Sequence, residues 1–358
     1  MTAISIIGAG PGGLTCARIL QRHGIPVTVY DRDPHRAARN QGGTLDLHAD
    51  DGQIALREAG LLDEFFRLAR PEGQEMRQYS SVGELRSHHL PAPDELFKPE
   101  IDRGQLRDLL LDSLEPGTVK WGHALASTDG HVLNFKTGDA VETELVIGAD
   151  GAFSRVRPVL SPAVPQYTGV SFLEAWFDDV DNRHAEIAAL VGQGGAHAAD
   201  GERGLFAQRN SGGHIRVYII RRNPADVTGL STEELRAGLL AEFAGWSPGL
   251  RQLVSDNDGA YVDRPIMVLP VEHTWAHRPG VTLLGDAAHL MPPLGVGVNM
   301  AMLDASDLAL ALVGAATLDE GVRAYESIML PRSAEIAKML DGRAADLLDT
   351  DIPDFGEQ

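Results

Sequence analysis

The sequence is poor in several residue types on which particular protein classes depend. It contains a single cysteine, Cys16, so no disulfide can form within the chain, and we expect a cytoplasmic location. Aromatic residues make up only 6% of the chain, which gives no sign of a base-stacking platform for nucleic acid. No uninterrupted apolar run approaches the roughly 18 residues of a membrane span. The first strand pattern begins at Ala3, which leaves no room before it for a secretion signal.

Positive charge is also scarce. The chain has 31 Lys and Arg residues against 51 Asp and Glu residues, a formal net charge of −20. A field of this sign repels phosphate backbones and anionic lipid surfaces, so we expect neither nucleic acid nor a membrane as a partner. The rest of the composition, 43% hydrophobic and 23% charged, is that of a globular protein. A chain of 358 residues can form one large domain or two interleaved ones.

The N-terminal region has the pattern of a strand, a glycine turn, a helix and a second strand. Ala3 to Ile7 is apolar, Leu14 to His23 has a helical composition, and Val27 to Tyr30 is β-branched and aromatic. The glycine turn between the first strand and the helix reads Gly-Ala-Gly-Pro-Gly-Gly. This is the context in which the G-x-G-x-x-G pattern predicts a dinucleotide-binding fold.

Each glycine of this motif has a distinct role. Gly8 permits the tight turn, Gly10 lets the backbone approach a pyrophosphate, and Gly13 lets the helix pack against the strand. Asp31 follows the second strand, about 20 residues further on, where an acid accepts hydrogen bonds from a ribose. The alternative is that the glycines serve the turn geometry alone. The motif by itself does not separate NAD from FAD.

Two further apolar runs also end in glycine and an acid. Leu145 to Ile147 leads into Gly-Ala-Asp150-Gly, and Val281 to Leu284 leads into Gly-Asp286. Because the carboxyl ends of parallel strands meet at one edge of a sheet, we expect all three transitions to converge on one ligand.

These two strings carry a resemblance to a known family. Gly148-Ala149-Asp150-Gly151 with Ser154, Val156 and Arg157 resembles the Asp-Gly motif of the flavoprotein aromatic hydroxylases, the class A FAD monooxygenases. Leu284 to His289 (LGDAAH) resembles their second FAD motif. Within that superfamily the sequence is most similar to the tetracycline-inactivating flavin monooxygenases, through Gly42 to His48, Pro99 to Arg107 and Gly285 to Pro293. The resemblance covers the chain to about residue 160 and again from about 262 to 330.

The resemblance and the chain pattern together predict an α/β fold. A Rossmann-like FAD-binding domain would comprise residues 1–70, 95–165 and 275–315, with an interleaved β-sheet-based substrate domain at 71–94 and 166–274. A C-terminal helical segment would follow at 316–358, with Pro331 kinking or splitting its helix. Inside the substrate domain we predict these elements: a hairpin at Met76 to Leu90, strands at Val170 to Phe177, Gly204 to Gln208 and His214 to Arg221, and a helix at Ser231 to Ala244.

The resemblance also implies which residues contact the cofactors. FAD would be held by the glycine loop together with Asp31, Arg32, Asp46, Arg103, Asp150 and Asp286, and NADPH would meet Arg39. The alternative is a helix or turn cap for Asp46 and a solvated basic loop for Arg32 and Arg39. The loop opening the last helix of the FAD domain would face the flavin, through Pro293, Gly295, Gly297, Val298 and Asn299. Its N–H groups and helix dipole suit the negative charge of reduced flavin.

The implied activity is hydroxylation of a tetracycline-like or other aromatic polyketide small molecule. NADPH would reduce FAD, and O2 would then react at the flavin C4a, so the chemistry belongs to the cofactor and no catalytic side chain or metal is expected. Glu174 stands where the tetracycline-inactivating enzymes have a substrate-contacting Gln, and Gly195 aligns loosely with their substrate-anchoring Arg. Glu174 either points into the substrate cavity with Phe172 and Trp176 or is an outward-facing carboxylate. We expect a monomer.

The sequence is also compatible with other functions. A simpler phenol could be the substrate, the protein could be a catalytically silent flavoprotein that binds a planar ligand, or it could be an NAD-dependent dehydrogenase. Two further motif-like patterns do not support a hydrolase or a metal site. Gly245-Trp246-Ser247-Pro248-Gly249 follows a predicted helix instead of the strand that a nucleophile elbow requires. His88-His89 lacks partners at metal-ligand spacing.

Overall fold

The computed structural model describes residues 2–39, 42–92, 94–271 and 273–349. Its strands, in chain order, are β1 (Thr2–Ile7), β2 (Val27–Tyr30), β3 (Thr44–Asp46), β4 (Met76–Tyr79), β5 (Leu85–His89), β6 (Glu100–Asp102), β7 (Val119–Lys120), β8 (Leu125–Thr128), β9 (Val132–Phe135), β10 (Ala140–Gly148), β11 (Gln166–Phe177), β12 (Gly195–Ala199), β13 (Arg203–Asn210), β14 (His214–Arg222), β15 (Val262–Val268) and β16 (Val281–Leu283). Its helices are α1 (Pro11–Arg22), α2 (Gly52–Ala59), α3 (Leu62–Leu68), α4 (Arg103–Asp112), α5 (Val180–Arg183), α6 (Ala185–Val191), α7 (Thr232–Glu242), α8 (Pro248–Ser255), α9 (Asp286–His289), α10 (Gly297–Gly314) and α11 (Leu318–Met339). The fold is α/β, as predicted.

The first large sheet has a parallel centre in the strand order β2, β1, β10, β16. The register pairs Ile7 with Gly148 and Gly148 with Leu283, so β1, β10 and β16 end at the same edge. The three glycine turns that follow these strands therefore lie side by side, although they come from distant parts of the chain. This confirms that the three strand ends converge, and the shared ligand stays a prediction.

Helices α1 and α10 cover this sheet and contact each other closely. A Cβ on Gly12 would lie 2.9 Å from the backbone oxygen of Ala301, so the two helices approach at a point without side chains. By length and composition α10 is also the one helix in the described part of the chain that could cross a membrane. Half of it is buried in this protein, where Met302, Ala305 and Leu308 join the main hydrophobic core. This is the setting of a core helix.

The second large sheet is mainly antiparallel, in the order β15, β11, β14, β13, β12, β4, β5. It includes the predicted hairpin, which joins the sheet through parallel pairing of β4 with β12. One face packs against α6, α7 and α8 through a second core that includes Leu173, Val217 and Phe243. Helix α7 confirms the predicted helix and begins with a capping box, in which the side chains of Ser231 and Glu234 each accept a hydrogen bond from the other's backbone N–H.

The opposite face of this sheet is turned toward the first domain. A Cβ on Gly43, just before β3, would lie 2.8 Å from the Tyr218 hydroxyl on β14, and Arg70 donates a hydrogen bond of 2.9 Å to the Arg209 carbonyl. The space between the two sheets is thus bounded by the chain before β3 on one side and by the even-numbered residues of β11 and β14 on the other. The division of the chain into domains at the stated boundaries stays a prediction.

The C-terminal segment differs from the prediction in one respect. Helix α11 is not split at Pro331 but runs through it from Leu318 to Met339. Proline removes one backbone donor, but Tyr325 and Met329 are buried in the turns before it, and this packing keeps the helix continuous. After Gly342, whose φ is +73°, a short 3₁₀ turn at Arg343–Leu348 packs against the second sheet.

Candidate cofactor and substrate site

The glycine loop after β1 is held by steric limits that only glycine satisfies. Gly8 has φ +112°, and a Cβ there would lie 2.2 Å from the Ala149 oxygen of the second glycine turn. A Cβ on Gly13 would lie 2.2 Å from the Gly8 oxygen. Gly10 is different, because no protein atom lies within 4 Å of where its Cβ would be. The open space at Gly10, at the start of α1, fits the close approach of a pyrophosphate.

Asp31 connects the glycine loop after β1 to the chain that follows β2. Its carboxylate accepts hydrogen bonds from the backbone N–H of Ala9 at 2.7 Å and of Asp33 at 2.8 Å. Each carboxylate oxygen retains a further lone pair, so the contact to a ribose remains a prediction. Arg32 is exposed, and Arg39 pairs with the buried Asp33 carboxylate at 3.0 Å. A basic residue is therefore placed beside the motif, as the prediction for Arg39 requires.

Arg107 supports the same loop, although the sequence pattern assigned it no role. Its Nε donates to the Ala9 carbonyl at 3.0 Å, and its guanidinium lies over the Trp121 ring at 5.2 Å. The side chain is buried on α4, and the Nη2 atom has no hydrogen-bond partner among the described residues. Arg107 is the last residue of the Pro99 to Arg107 string, and its place in that family-specific string is the sequence signal that could have identified it.

The second and third glycine turns are joined by Arg157. Its guanidinium donates to the carbonyls of Ala152 at 2.7 Å, Ala287 at 2.8 Å and Asp286 at 3.1 Å. Asp150 closes the second turn by accepting a hydrogen bond of 2.6 Å from the Arg155 N–H, while its other oxygen has no partner within the described chain. Asp150 and Asp286 are thereby brought to one place, as the convergence of the strands predicts.

Asp286 is the first residue of α9 and is exposed to solvent. Desolvation by the surrounding protein nevertheless raises the pKa of its carboxyl group. The nearby charges of His289, Arg103 and Arg157 act in the opposite direction. No described residue makes a hydrogen bond with this carboxylate. It is therefore available for the hydroxyl groups of a ligand.

A buried ionic network fixes the backbone just before Asp286. Asp304 on α10 is fully buried and accepts hydrogen bonds from the Gly285 N–H at 3.0 Å, from His289 at 2.5 Å and from Arg332 at 2.9 Å. Burial raises the pKa of Asp304, but His289 and Arg332 more than offset this, and the net shift is downward. Burial likewise lowers the pKa of His289, and Asp304 reverses this to a net rise. The protonated form of His289 is therefore favoured relative to a free histidine.

Asp46 and the loop after Pro292 face each other. A Cβ on Gly295 would lie 3.8 Å from the Asp46 Oδ2 atom, and Pro293 and Gly297 of the same loop are exposed. The loop ends at Val298, half-buried in the first turn of α10. Asp46 also accepts a hydrogen bond of 3.0 Å from His48 if that ring is protonated there. The loop N–H groups and Asp46 thus border one space.

The side chain of Asn299 has a structural role, unlike the rest of this loop. Its Oδ1 accepts from the His48 N–H at 2.9 Å and the Gly52 N–H at 3.3 Å, and its Nδ2 donates to the Asp46 carbonyl at 2.9 Å. The side chain is buried and fully used in joining α10 to the segment after β3. Only its backbone is left to face a flavin.

The inward face of the second sheet contains an incompletely paired ionic cluster. The Glu174 Oε2 atom lies 3.5 Å from the Arg264 Nε and 3.7 Å from an Arg216 Nη, both too long for hydrogen bonds. The Glu174 side chain is only 13% exposed, so it is not an outward-facing carboxylate. Arg103 belongs to the same cluster, because Tyr218, Asp286, Arg216 and Glu174 all influence its pKa, which burial lowers.

Glu174 Oε2 and Arg216 Nε are buried and lack hydrogen-bond partners within the described residues. Buried polar atoms are almost always satisfied, so this pair is a strong sign of a ligand-binding position. Sequence reasoning found Glu174 but missed Arg216, whose role depends on the pairing of β14 with β11.

The remaining chemically suggestive residues have structural explanations. Burial raises the pKa of the Cys16 thiol to about 12, so it is an inert packing residue. Ser247 begins α8, and His88 bonds Glu75 at 2.7 Å. Among the described residues, His48, Asp50 and Asp51 could offer three metal ligands, but His48 already contacts Asp46. The absence of a metal from the function stays a prediction.

Replacing Asp286 by alanine should weaken FAD binding about tenfold or more, because a hydrogen bond to a charged group contributes roughly 1.5–3 kcal/mol. The thermal stability of the apoprotein should not fall, since the carboxylate has no described hydrogen-bond partner and its pKa is raised. Asp286→Asn keeps the shape and one acceptor and should show a smaller loss. Flavin dissociation constants measured by fluorescence test this, and unchanged constants in both variants would refute the assignment.

Comparison with known proteins agrees with this geometry. The chain matches the family described as FAD binding domain over residues 1–243 and 270–339. It is 30% identical to a monooxygenase, penA, of Penicillium thymicola, over 94% of this chain and 93% of that protein. It is 31% identical to the 3-amino-4-hydroxybenzoate 2-monooxygenase PtnB3 of Streptomyces platensis, over 93% and 85%. The crystal structure of the tetracycline destructase Tet(55) is similar in fold, with a TM-score of 0.76 at 19% identity over 99% and 91% of the two chains.

Proposed function

The chain belongs to the FAD binding domain family and is a flavoprotein monooxygenase of the aromatic hydroxylase class, and from this premise we propose that it uses NADPH to hydroxylate a tetracycline-like or other aromatic polyketide. The single observation that carries the substrate proposal is the buried Glu174 Oε2 atom, which has no hydrogen-bond partner among the described residues and lies beside Arg216 on the inward face of the second sheet. A buried acceptor next to a buried donor suits a planar molecule rich in phenol, enol and carbonyl groups.

The residues around the three glycine turns fit FAD. The glycine loop and the N-terminus of α1 would hold the pyrophosphate, with open space at Gly10 for its approach. Asp31 would bind the adenosine ribose and Asp286 the ribityl chain, and the exposed loop at Pro293 to Gly297 would face the flavin ring. When bound, the flavin supplies the redox and oxygen chemistry.

The side chains of the protein contribute position and electrostatics. The charge of Arg103 interacts with both Asp286 and Glu174, and so with the predicted cofactor and substrate positions, where it would favour electron-rich groups. Apolar residues of the inward face, including Phe172 and Phe206, would exclude water from the reacting carbon. Arg39, paired with Asp33 at the edge of the nucleotide motif, would receive NADPH transiently.

The direct test is to measure NADPH oxidation by the FAD-loaded protein with a panel of tetracyclines, anthracyclines and simple phenols, including 3-amino-4-hydroxybenzoate. We expect at least one polyketide to accelerate NADPH oxidation and to gain the mass of one oxygen atom. Turnover of the simple phenols alone would assign the protein to that substrate class. No acceleration by any compound would identify a silent flavoprotein.

Replacing Glu174 by glutamine keeps the shape and one acceptor but removes the charge. We expect the KM of the preferred substrate to rise several-fold, because the anionic acceptor is lost from a largely buried position. FAD content and NADPH oxidation without substrate should stay unchanged. The matched control is Asp263→Asn, an exposed residue of the same sheet that pairs with Leu173 and so lies on the opposite face. Equal KM values for the two variants would remove Glu174 from the substrate site.

A further inference from the structure

A single row of side chains crosses the inward face of the second sheet. Residues directly opposite each other on neighbouring strands point to the same face. The register places the following residues in one line from β11 to β4: Glu174, Tyr218, Phe206, His197 and Gln78. The approach of Gly43 to the Tyr218 hydroxyl shows that this row is turned toward the cofactor domain.

His197, near the far end of this row, is an unusual buried histidine. It is 1% exposed, and neither ring nitrogen has a hydrogen-bond partner within the described residues. Its closest ring neighbour is Phe206, with the centroids 6.3 Å apart. Burial lowers its pKa to about 4, so the ring is neutral and offers one donor and one acceptor. A neutral imidazole without a well-formed hydrogen bond is costly to bury, and its nitrogens are available to a ligand.

The residues above His197 belong to the C-terminal 3₁₀ turn. The Leu347 carbonyl lies close enough to the ring to raise the pKa of His197 against the effect of burial, although the contact lacks full hydrogen-bond geometry. The Leu348 carbonyl accepts a hydrogen bond from the Gly201 N–H at 3.0 Å. The segment around this turn also borders a cavity of about 330 Å³ against β11 and β15, lined in part by Val170, Met291 and Ala344. The turn that covers His197 therefore has empty volume beside it.

We propose that His197 recognises the substrate, by forming a hydrogen bond with a hydroxyl or carbonyl oxygen at the end remote from Glu174. The inference rests on the proposed function and defines its substrate class further. Glu174 and His197 are separated by three strand spacings, roughly 14 Å. Tyr218 and Phe206, between them, have their rings nearly parallel at 6.3 Å. Such a row suits an elongated, planar, fused-ring molecule with oxygen groups at both ends and is too long for a single-ring phenol.

The test is the variant His197→Phe, which keeps an aromatic ring of similar size and removes both nitrogens. We expect the dissociation constant of a tetracycline or anthracycline, measured by quenching of the flavin fluorescence, to rise roughly tenfold or more. Binding of a single-ring phenol and the FAD content should not change. The melting temperature should stay the same or rise, because unpaired buried nitrogens are removed. His89→Phe, exposed on β5 of the same sheet, is the control and should leave all these quantities unchanged.

Three results would overturn the inference. A lower melting temperature with an equal loss of affinity for every ligand would show that His197 anchors the C-terminal turn. Unchanged affinity for fused-ring ligands would show that the substrate does not reach it, and no binding of such ligands by the wild type would exclude the class. Failure of the proposed function is distinguishable, because it concerns turnover: a protein that binds a fused-ring ligand through His197 without oxidising NADPH supports this inference alone.

Discussion

Replacing Asp304 by asparagine is expected to lower the free energy of unfolding of the apoprotein by about 3 kcal/mol or more. Removing one partner of a buried ionic group leaves the other charges uncompensated, which costs about 3–5 kcal/mol. The variant would leave His289 and Arg332 without the fully buried carboxylate that both contact. It should also weaken FAD binding, because Asp304 accepts the hydrogen bond of Gly285, the residue before Asp286. Urea unfolding and flavin titration measure the two effects.

The pH dependence has a definite sign. The folded-state pKa of His289 is raised above 6.5, so its contribution to stability is complete below that pH and is lost as the pH rises through the folded pKa. The difference between wild type and Asp304→Asn should therefore shrink in alkaline buffer. Asp307→Asn is the matched control, since Asp307 pairs with Arg332 at 2.7 Å but is partly exposed and does not contact His289. If both variants lose the same small free energy, the network is not a stabilising element.

The second large effect is expected in the glycine loop, where two alanine substitutions should have different consequences. Gly13→Ala would place a Cβ 2.2 Å from the Gly8 oxygen, a backbone atom that cannot move aside. We expect this variant to unfold at a clearly lower temperature and to bind no FAD. Gly10→Ala meets no protein atom within 4 Å and starts from an extended backbone, with φ −83° and ψ 175°, that alanine adopts freely.

Gly10→Ala should therefore leave the melting temperature of the apoprotein unchanged and weaken FAD binding about tenfold or more, since the methyl group occupies the space of the pyrophosphate. Differential scanning calorimetry of the apoproteins and flavin titration separate the two effects. Unimpaired FAD binding by Gly10→Ala would show that the pyrophosphate does not approach α1 at this point. Normal stability of Gly13→Ala would show that the close contact between α1 and the loop after β1 is not required.

Local patterns predicted the parts of this protein in which a few neighbouring residues determine the geometry. The turn at Gly8, the acid at Asp31 and the capping box at Ser231 are each specified by short sequence strings, and the structure contains the corresponding turns and caps. Strand alternation was enough to place Glu174 on the same face as Phe172 and Trp176. The alternation did not show that Glu174 on β11 lies opposite Tyr218 on β14.

The features that the sequence did not predict depend on contacts between distant segments. In the sequence, Asp304 is only an acidic residue within an apolar helix. Its contacts with Gly285 and Arg332 come from other segments and are visible only in the structure. His197 lies in a strand that carries no sequence motif. It stands out only because its ring nitrogens lack hydrogen-bond partners among the described residues, which a sequence pattern cannot show. Pro331 was expected to kink or split the C-terminal helix, and it does not split α11 because the buried side chains around it outweigh the local preference.

The parallel order of the first sheet has a consequence for how the protein is made. Strand β1 pairs with β10, which is synthesised more than a hundred residues later, and β16 completes the cluster of glycine turns only after the second sheet has been translated. Such long-range pairing folds slowly, and the nascent chain carries an unpaired β10 edge until β16 emerges. FAD can therefore be captured only near the end of synthesis, and a chain that stops before β16 should aggregate through that open edge.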